Sequence, residues 1–538
     1  MKKLYIFILL TLGLTIVGCK KNEGNLDNKT TVKDSLLVIK KSLDFRDALI
    51  IDTLTINRYQ PKIKAFYKEH GYKTVWNNKK DRLEYLDFLS LVDEDGLDPQ
   101  EYYLDKLKVK EENFANLNDA AHIELDILYT QSFFRVANNL HSGKLNPRTL
   151  YPDWEVTPEK LEPEKLLFNS LYDHKIAHLL DSLRPNNVIY DHLKKALGRV
   201  KEFEDEPEIM LKKLVLDKKI LPNDTVDIVK DIKKKLAHLK LYTLEDSLTS
   251  VYNTDLEAAV KKFQAKNNLT ADGVIGAGTV KAMNFNRNQR KAQIIANLER
   301  LRWFPRNLGE NFVLVNIAGF ELWAVSKGDT IHKHKVVVGK NTRRTPILSS
   351  KFSDIVINPT WTVPPTIIKN DLTPAATRNR AYFANNRIKI YKNGSLIDPN
   401  DWDPEYASTY RYVQDPGSQN SLGVIKFNFP NNHMVYLHDT NNRGVFGRDG
   451  RDLSSGCVRV QNPTKLAAKL FSIDGNNELT EDKIEELIAT GKTKSIKIKS
   501  PIFIHQFYWT VSIAKEGGLK FNSDIYDLDW DLYQALRK

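Results

Sequence analysis

Hydrophobic spacing changes period near residue 311, and this limits the chain to a fold in which helical and sheet regions follow one another. Between residues 36 and 242 apolar side chains recur at helical intervals, as in Val229, Ile232, Leu236 and Leu239 and, more loosely, Leu128, Phe134 and Leu140. Asp95-Gly96-Leu97-Asp98-Pro99 and Gly143-Lys144-Leu145-Asn146-Pro147 read as turns between helices, and Tyr59, Phe66, Tyr67 and Trp76 as core. Residues 287–306 suit a basic amphipathic helix that stops at Pro305. Beyond it, residues 312–317, 320–325, 335–338 and 354–357 suit strands, with Gly328-Asp329 as a hairpin turn. A chain of 538 residues has room for two to four such units.

Within the strand region, residues 434–460 read M-V-Y-L-H-D-T-N-N-R-G-V-F-G-R-D-G-R-D-L-S-S-G-C-V-R-V. The apolar run 434–437 suits a strand that delivers His438 at its end. Residues 441–451 suit a loop, and Ser454-Ser455-Gly456 a tight turn that presents Cys457 ahead of a polar-capped helix at 462–471. A thiol attacks as the thiolate, and a neighbouring imidazole lowers its pKa and stores its proton. Gly456 permits close backbone approach, so the amides of Gly456 and Cys457 are candidates for an oxyanion hole. A lone Cys and a lone His are more often packing residues than a catalytic pair, so residue type alone leaves both readings open.

The surrounding phrases separate them. S-S-G-C-V-R resembles the S-x-G-C-[VI]-R signature of the YkuD-type L,D-transpeptidases, and H-D-T stands upstream of the cysteine at that family's distance. V-V-V-G-K-N-T-R-R-T-P, I-N-P-T-W-T-V-P-P-T-I and L-G-V-I-K-F-N-F-P-N resemble the same catalytic domain, in the same order. D-E-D-G-L-D-P-Q-E-Y and N-N-L-H-S-G-K-L-N-P resemble the helical scaffold of the large YcbB-like members. Residues 255–284 read locally as a helical hairpin, with Leu256, Val260 and Phe263 on one face and a turn at Asp272-Gly273. Their phrase F-Q-x-x-x-x-L-x-x-D-G-x-x-G resembles the peptidoglycan-binding domain of wall enzymes.

The resemblance implies Cys457 as nucleophile and His438 as general base and acid, oriented by the Asp439 carbonyl. It also implies Arg459, Ser454, Ser455, Trp361, Lys426 and Tyr436 around the substrate. The Asp439 side chain follows His438 on a strand, faces the opposite way and completes no triad. Residues 370–420, with Trp402 and four tyrosines between 391 and 412, match the position of an insertion that caps the site in multi-domain members. Residues 501–510 and F-N-S-D-I-Y-D-L-D resemble the family's ending and are expected to pack beside the catalytic domain.

The first residues point to export. Lys2 and Lys3 precede an apolar stretch at 4–14 and the small residues before Cys19, which resembles a lipoprotein signal with Cys19 as the acylated residue. One of the two cysteines is then used, and Cys457 has no disulfide partner in a compartment where thiols normally pair. The formal charge of +12 favours an anionic wall polymer or membrane surface as partner over nucleic acid in an exported protein. No cofactor and no metal are expected: His332, Lys333 and His334 form an H-x-H without a third ligand and read as exposed strand residues, and there is no H-E-x-x-H.

The expected fold is α+β and multi-domain: a signal peptide at 1–18, a tether at 19–40 and a mainly helical scaffold at 41–245. A small helical peptidoglycan-binding module at 246–290 and a linker helix at 291–310 follow, then a β-rich catalytic domain at 311–500 with its cap at 370–420, and a C-terminal segment at 501–538. The expected protein is a monomeric, lipid-anchored periplasmic enzyme that acts on peptidoglycan stem peptides and glycan. It releases D-alanine from a tetrapeptide donor and forms 3→3 cross-links. The rival readings are L,D-carboxypeptidase or D-amino-acid exchange with the same nucleophile, and a non-catalytic wall-tethering lipoprotein. A papain-like protease, with Cys before His, has the wrong order.

Overall fold

The computed structural model describes residues 47–202, 211, 218–244, 248–514 and 517–538. The expected signal peptide, Cys19 and the tether lie outside the described residues.

The helical region is built round Asp119–Ser142, which buries Leu125, Leu128, Phe133, Phe134 and Leu140 against Pro61–Glu69, Leu104–Glu112 and Pro163–Asp173. Asn118 caps its start by accepting from the Ala121 amide at 2.9 Å. Gly143 ends it at φ +86°, where a Cβ would lie 2.5 Å from Trp303 Nε1, so only glycine fits. Phe66, Tyr67 and Trp76 are buried as expected. Their core includes the carboxylate of Asp126, which accepts from the Tyr67 hydroxyl (2.5 Å) and from the amides of Val75 (2.9 Å) and Trp76 (2.7 Å).

Ile228–His238, Thr254–Lys266 and Ala277–Met283 share a separate core of Val229, Ile232, Leu236, Leu256, Val260, Phe263 and Met283. The period of the stripe at 229–236 groups it with the scaffold. Its apolar face instead closes on the hairpin that follows, because the hairpin alone offers too little surface to form a core.

Helix Arg287–Trp303 departs from the surface helix its charges suggest. Residues 292–303 are buried on every side, with Arg300 and Arg302 almost inaccessible. Buried guanidinium groups are tolerated when paired and hydrogen-bonded. Arg302 Nε donates to Glu299 (3.1 Å) and its Nη1 and Nη2 to the Asp95 carbonyl (3.1 Å each), while Arg300 pairs with Asp529. The helix is therefore a central strut between scaffold, catalytic sheet and C-terminal helix Asp529–Leu536, rather than an amphipathic linker.

The second half is a sheet of eleven strands among the described residues. They and the cap strands are β1 (Asn311–Asn316), β2 (Glu321–Ser326), β3 (Asp329–Gly339), β4 (Leu348–Lys351), β5 (Asp354–Ile357), β6 (Trp361–Thr362), β7 (Ile388–Lys392), β8 (Ser395–Ile397), β9 (Arg411–Gln414), β10 (Ile425–Asn428), β11 (Leu437–His438), β12 (Asp452–Ser454), β13 (Val458–Val460), β14 (Lys494–Lys497) and β15 (Phe503–Phe507). The main order is β14-β5-β10-β11-β13-β3-β2-β1-β15-β4, with β12 on β3. All four expected strands are present, and the β2–β3 turn has positive φ at Lys327 and Gly328. β15 lies inside this sheet, parallel to β1, and so is an integral strand rather than a segment packed beside it. Residues 360–414 form a separate four-stranded sheet, β6-β9-β7-β8, round their own core of Leu372, Phe383, Trp402 and Tyr412.

Candidate active site

β11 is only two residues long, because Met434 sits at φ +55° and 72% exposed, outside the ladder. Its pairing still places the site. His438 lies opposite Lys426 of β10 on one side and opposite Arg459 of β13 on the other. Side chains alternate between the two faces of a strand, so Tyr436 and Cys457, each two residues earlier, share the face of His438 and Arg459. The intervening Leu437 and Val458 point into the core. Five candidate side chains thus meet on one face, and residues 441–451 pack Val445 and Phe446 on Val337, the residue opposite Arg459.

The face is cationic. Lys426 Nζ stands 4.1 Å above the Tyr436 ring, and the Tyr436 and His438 rings meet edge to face at 5.6 Å. Arg459 Nε is buried without a hydrogen-bond partner among the described residues. Burial, and then the Arg459 guanidinium, push the His438 imidazole down to about 3, so the ring is neutral at ordinary pH. Burial pushes the Cys457 thiol above its ordinary value, while Tyr436, Lys426 and Arg459 pull the other way. At rest the thiol and the imidazole that share this face are both neutral. Among the described residues Nδ1 of His438 has no well-formed hydrogen bond, although the Asp439 and Leu422 carbonyls lie near enough to favour the protonated ring. The Asp439 carboxylate faces away, accepting from the Val424 amide (3.1 Å) and Arg443 Nη2 (3.2 Å). It lies under Gly423, where a Cβ would come within 2.3 Å of Oδ2.

The turn before Cys457 is braced from inside. Ser454 Oγ is buried, donates to the Cys457 carbonyl (2.6 Å) and accepts from the Gly456 amide (3.2 Å). Its hydroxyl is therefore committed to the loop and does not reach the cleft. Gly456 is corrected by the same bond: at φ +114° its amide points inward and its carbonyl accepts from Thr345 Oγ1 (2.8 Å). Of the two amides expected at an oxyanion, only that of Cys457 stays outside the bonds holding the turn. Ser455 is exposed and accepts from Arg343 Nη1 at 2.9 Å. Trp361 enters from the cap sheet on β6 and reaches the Tyr436 hydroxyl, whose pKa burial and Cys457 raise and Trp361 lowers.

Sequence reasoning missed the loop at 340–347 as part of the site. Lys340 donates its amide to the Ser454 carbonyl (3.1 Å), and Tyr526 fastens the loop by accepting from the Thr345 amide (3.0 Å) and donating to the Gly339 carbonyl (2.8 Å). Arg343 and Thr345 stand in the phrase T-R-R-T-P and Tyr526 in F-N-S-D-I-Y-D-L-D, which pointed to the domain but not to these roles. Tyr526→Phe leaves both buried main-chain groups unpaired, and a loss of about 1–3 kcal/mol in stability is expected, read as a lower urea midpoint at unchanged slope. His332 and His334 stack at 4.4 Å, but His334 is buried rather than exposed, with a ring nitrogen 2.7 Å from the Gln461 carbonyl.

Family profiles match three parts of the chain: "Scaffold domain" at residues 61–197, "Putative peptidoglycan binding domain" at 225–283 and "L,D-transpeptidase catalytic domain" (YkuD) at 310–472. A "Putative L,D-transpeptidase" of Haemophilus influenzae is 36% identical over 255 residues, which is 45% of this chain and 50% of that protein. The chain thus spans about half the length of this curated relative. Two solved L,D-transpeptidase structures each cover 54% of this chain and 97% of their own. One, from Xylanimonas cellulosilytica, is 12% identical with a TM-score of 0.16; the other, from Stackebrandtia nassauensis, is 15% identical with a TM-score of 0.18. On the profile matches, the chain carries a YkuD-type L,D-transpeptidase catalytic domain together with a scaffold domain and a peptidoglycan-binding domain.

Proposed function

We propose that the protein is a cell-wall L,D-transpeptidase in which Cys457 carries the acyl group. The observation that supports this most is the gathering of a thiol, a neutral imidazole and two cations, Lys426 and Arg459, on one sheet face. His438 takes the thiol proton as sulfur attacks the carbonyl between the third and fourth residues of a tetrapeptide stem. The Cys457 amide stabilises the oxyanion. The C–N bond breaks, the proton passes from His438 to the leaving D-alanine, and a thioester remains on Cys457. The side-chain amine of a neighbouring stem then attacks the thioester, loses its proton to His438 and forms the 3→3 cross-link while the thiol is restored. Arg459 receives a substrate carboxylate, since its buried Nε has no hydrogen-bond partner among the described residues. The enzyme works as a monomer in the periplasm, lipid-anchored through Cys19, and the module at residues 225–283 holds the wall polymer.

The test is incubation of a soluble form starting after Cys19 with disaccharide tetrapeptide, followed by product analysis. Released D-alanine with a 3→3 dimer is the expected result. Release without dimer makes the protein a carboxypeptidase, and retention of wall fragments with neither product makes it a tether.

A further inference from the structure

Arg343 stands between two parts of the molecule that the chemistry needs together. Its Nη1 donates to Ser455 Oγ, two residues before the thiol, at 2.9 Å, and also pairs with Asp371 Oδ2. Asp371 belongs to the capping insertion. It sits in a π-helical turn, Ile368–Leu372, a backbone form that concentrates at functional sites. Ile368 and Leu372 on either side of it are buried in the cap's own core with Phe383, Trp402 and Tyr412, so Asp371 moves only if the cap moves. Arg343 is held as firmly at its other end. Its amide donates to the Lys340 carbonyl at 2.8 Å, and the same loop grips the nucleophile turn through Lys340 to Ser454 and Thr345 to Gly456. Among the described residues, Arg343–Asp371 is the ion pair that joins residues 360–414 to the main sheet.

We infer that Arg343 and Asp371 are positioning residues: they clamp the cap onto the turn that carries Cys457, and acylation by a stem peptide requires the clamp closed. The inference rests on the acyl-transfer reading above. Asp371 is 43% exposed, so the pair adds little to global stability and its loss shifts the cap between closed and open by roughly two- to fivefold. Cys457 is partly exposed with the cap in place, and an open cap uncovers the thiol further to a small reagent. It also loosens the turn, and a misplaced nucleophile slows reaction with an ordered substrate.

The two effects have opposite signs, which distinguishes a clamp from general damage. The experiment compares wild type, Asp371→Asn and Asp371→Glu in two assays read by intact mass: alkylation of Cys457 by iodoacetamide, and acylation by disaccharide tetrapeptide. The expected result for Asp371→Asn is alkylation faster and acylation slower, each by up to about fivefold, and both restored by Asp371→Glu. Unchanged alkylation in Asp371→Asn, or a fall in both rates together, overturns the clamp. If wild type takes up no acyl group and releases no D-alanine, the transpeptidase reading fails separately, and the alkylation arm still judges the contact between cap and turn.

Discussion

Cys457→Ala is expected to abolish D-alanine release and to leave no acyl adduct on incubation with disaccharide tetrapeptide. Sulfur is the atom that forms the covalent bond, and no other described residue on the Cys457 face is a hydroxyl or thiol positioned to replace it. Ser454 Oγ is committed to the Cys457 carbonyl and the Gly456 amide, and the Tyr436 hydroxyl is held far above its ordinary pKa by burial. The loss expected for a missing nucleophile is about 10⁴-fold or more. The fold survives the change. The bonds that shape the turn run through main-chain groups of residues 454–457 and the side chains of Ser454, Thr345 and Arg343, none of which alanine at 457 removes. Intact-mass spectrometry beside a circular dichroism melt checks both halves. Release of D-alanine by a folded Cys457→Ala variant would remove Cys457 from the mechanism.

His438→Ala is expected to lower the acylation rate by about 10²–10⁴-fold, the usual contribution of a positioned general base. Its pH signature is more specific. With the folded-state imidazole at about 3, the base is unprotonated down to strongly acidic pH. kcat/KM is therefore flat between pH 8 and pH 5, where an unperturbed imidazole would cost roughly 30-fold. Arg459→Gln removes one of the charges that disfavour the imidazolium, so the His438 pKa rises and the acid limb moves toward neutrality. Stability runs the other way round. An unfolded imidazole binds a proton near 6.5 while the folded His438 and His334, the latter at about 4, do not. Their contribution is complete above 6.5 and is lost as pH falls toward those lower values. Rates at pH 5 are accordingly read beside a melting curve, and a steep fall in kcat/KM of folded enzyme between pH 7 and pH 5 would count against a neutral base.

Much of this molecule was legible residue by residue. Strand periodicity located β1, β2, β3 and β5, and the phrase around Cys457 singled out the thiol and its histidine, because alternation and turn chemistry are local. Fates set by partners far along the chain were not legible. Arg300 and Arg302 look like solvent-facing charges until Asp529 and the Asp95 carbonyl arrive beside them, 229 and 207 residues away. His334 reads as exposed until the Gln461 carbonyl meets it. The Gly456 amide reads as an oxyanion donor until Ser454 turns inward to take it.

The sequence by itself determined which groups could do chemistry: an unpaired thiol, an imidazole upstream of it and a glycine that lets the turn form. Tertiary structure alone decided their state. Pairing β11 between β10 and β13 set Lys426 and Arg459 on either side of His438, and burial there makes a charged imidazole costly. Position in the sheet, rather than residue type, thus makes the resting pair neutral, because desolvation and neighbouring charge depend on what the fold brings within a few ångströms.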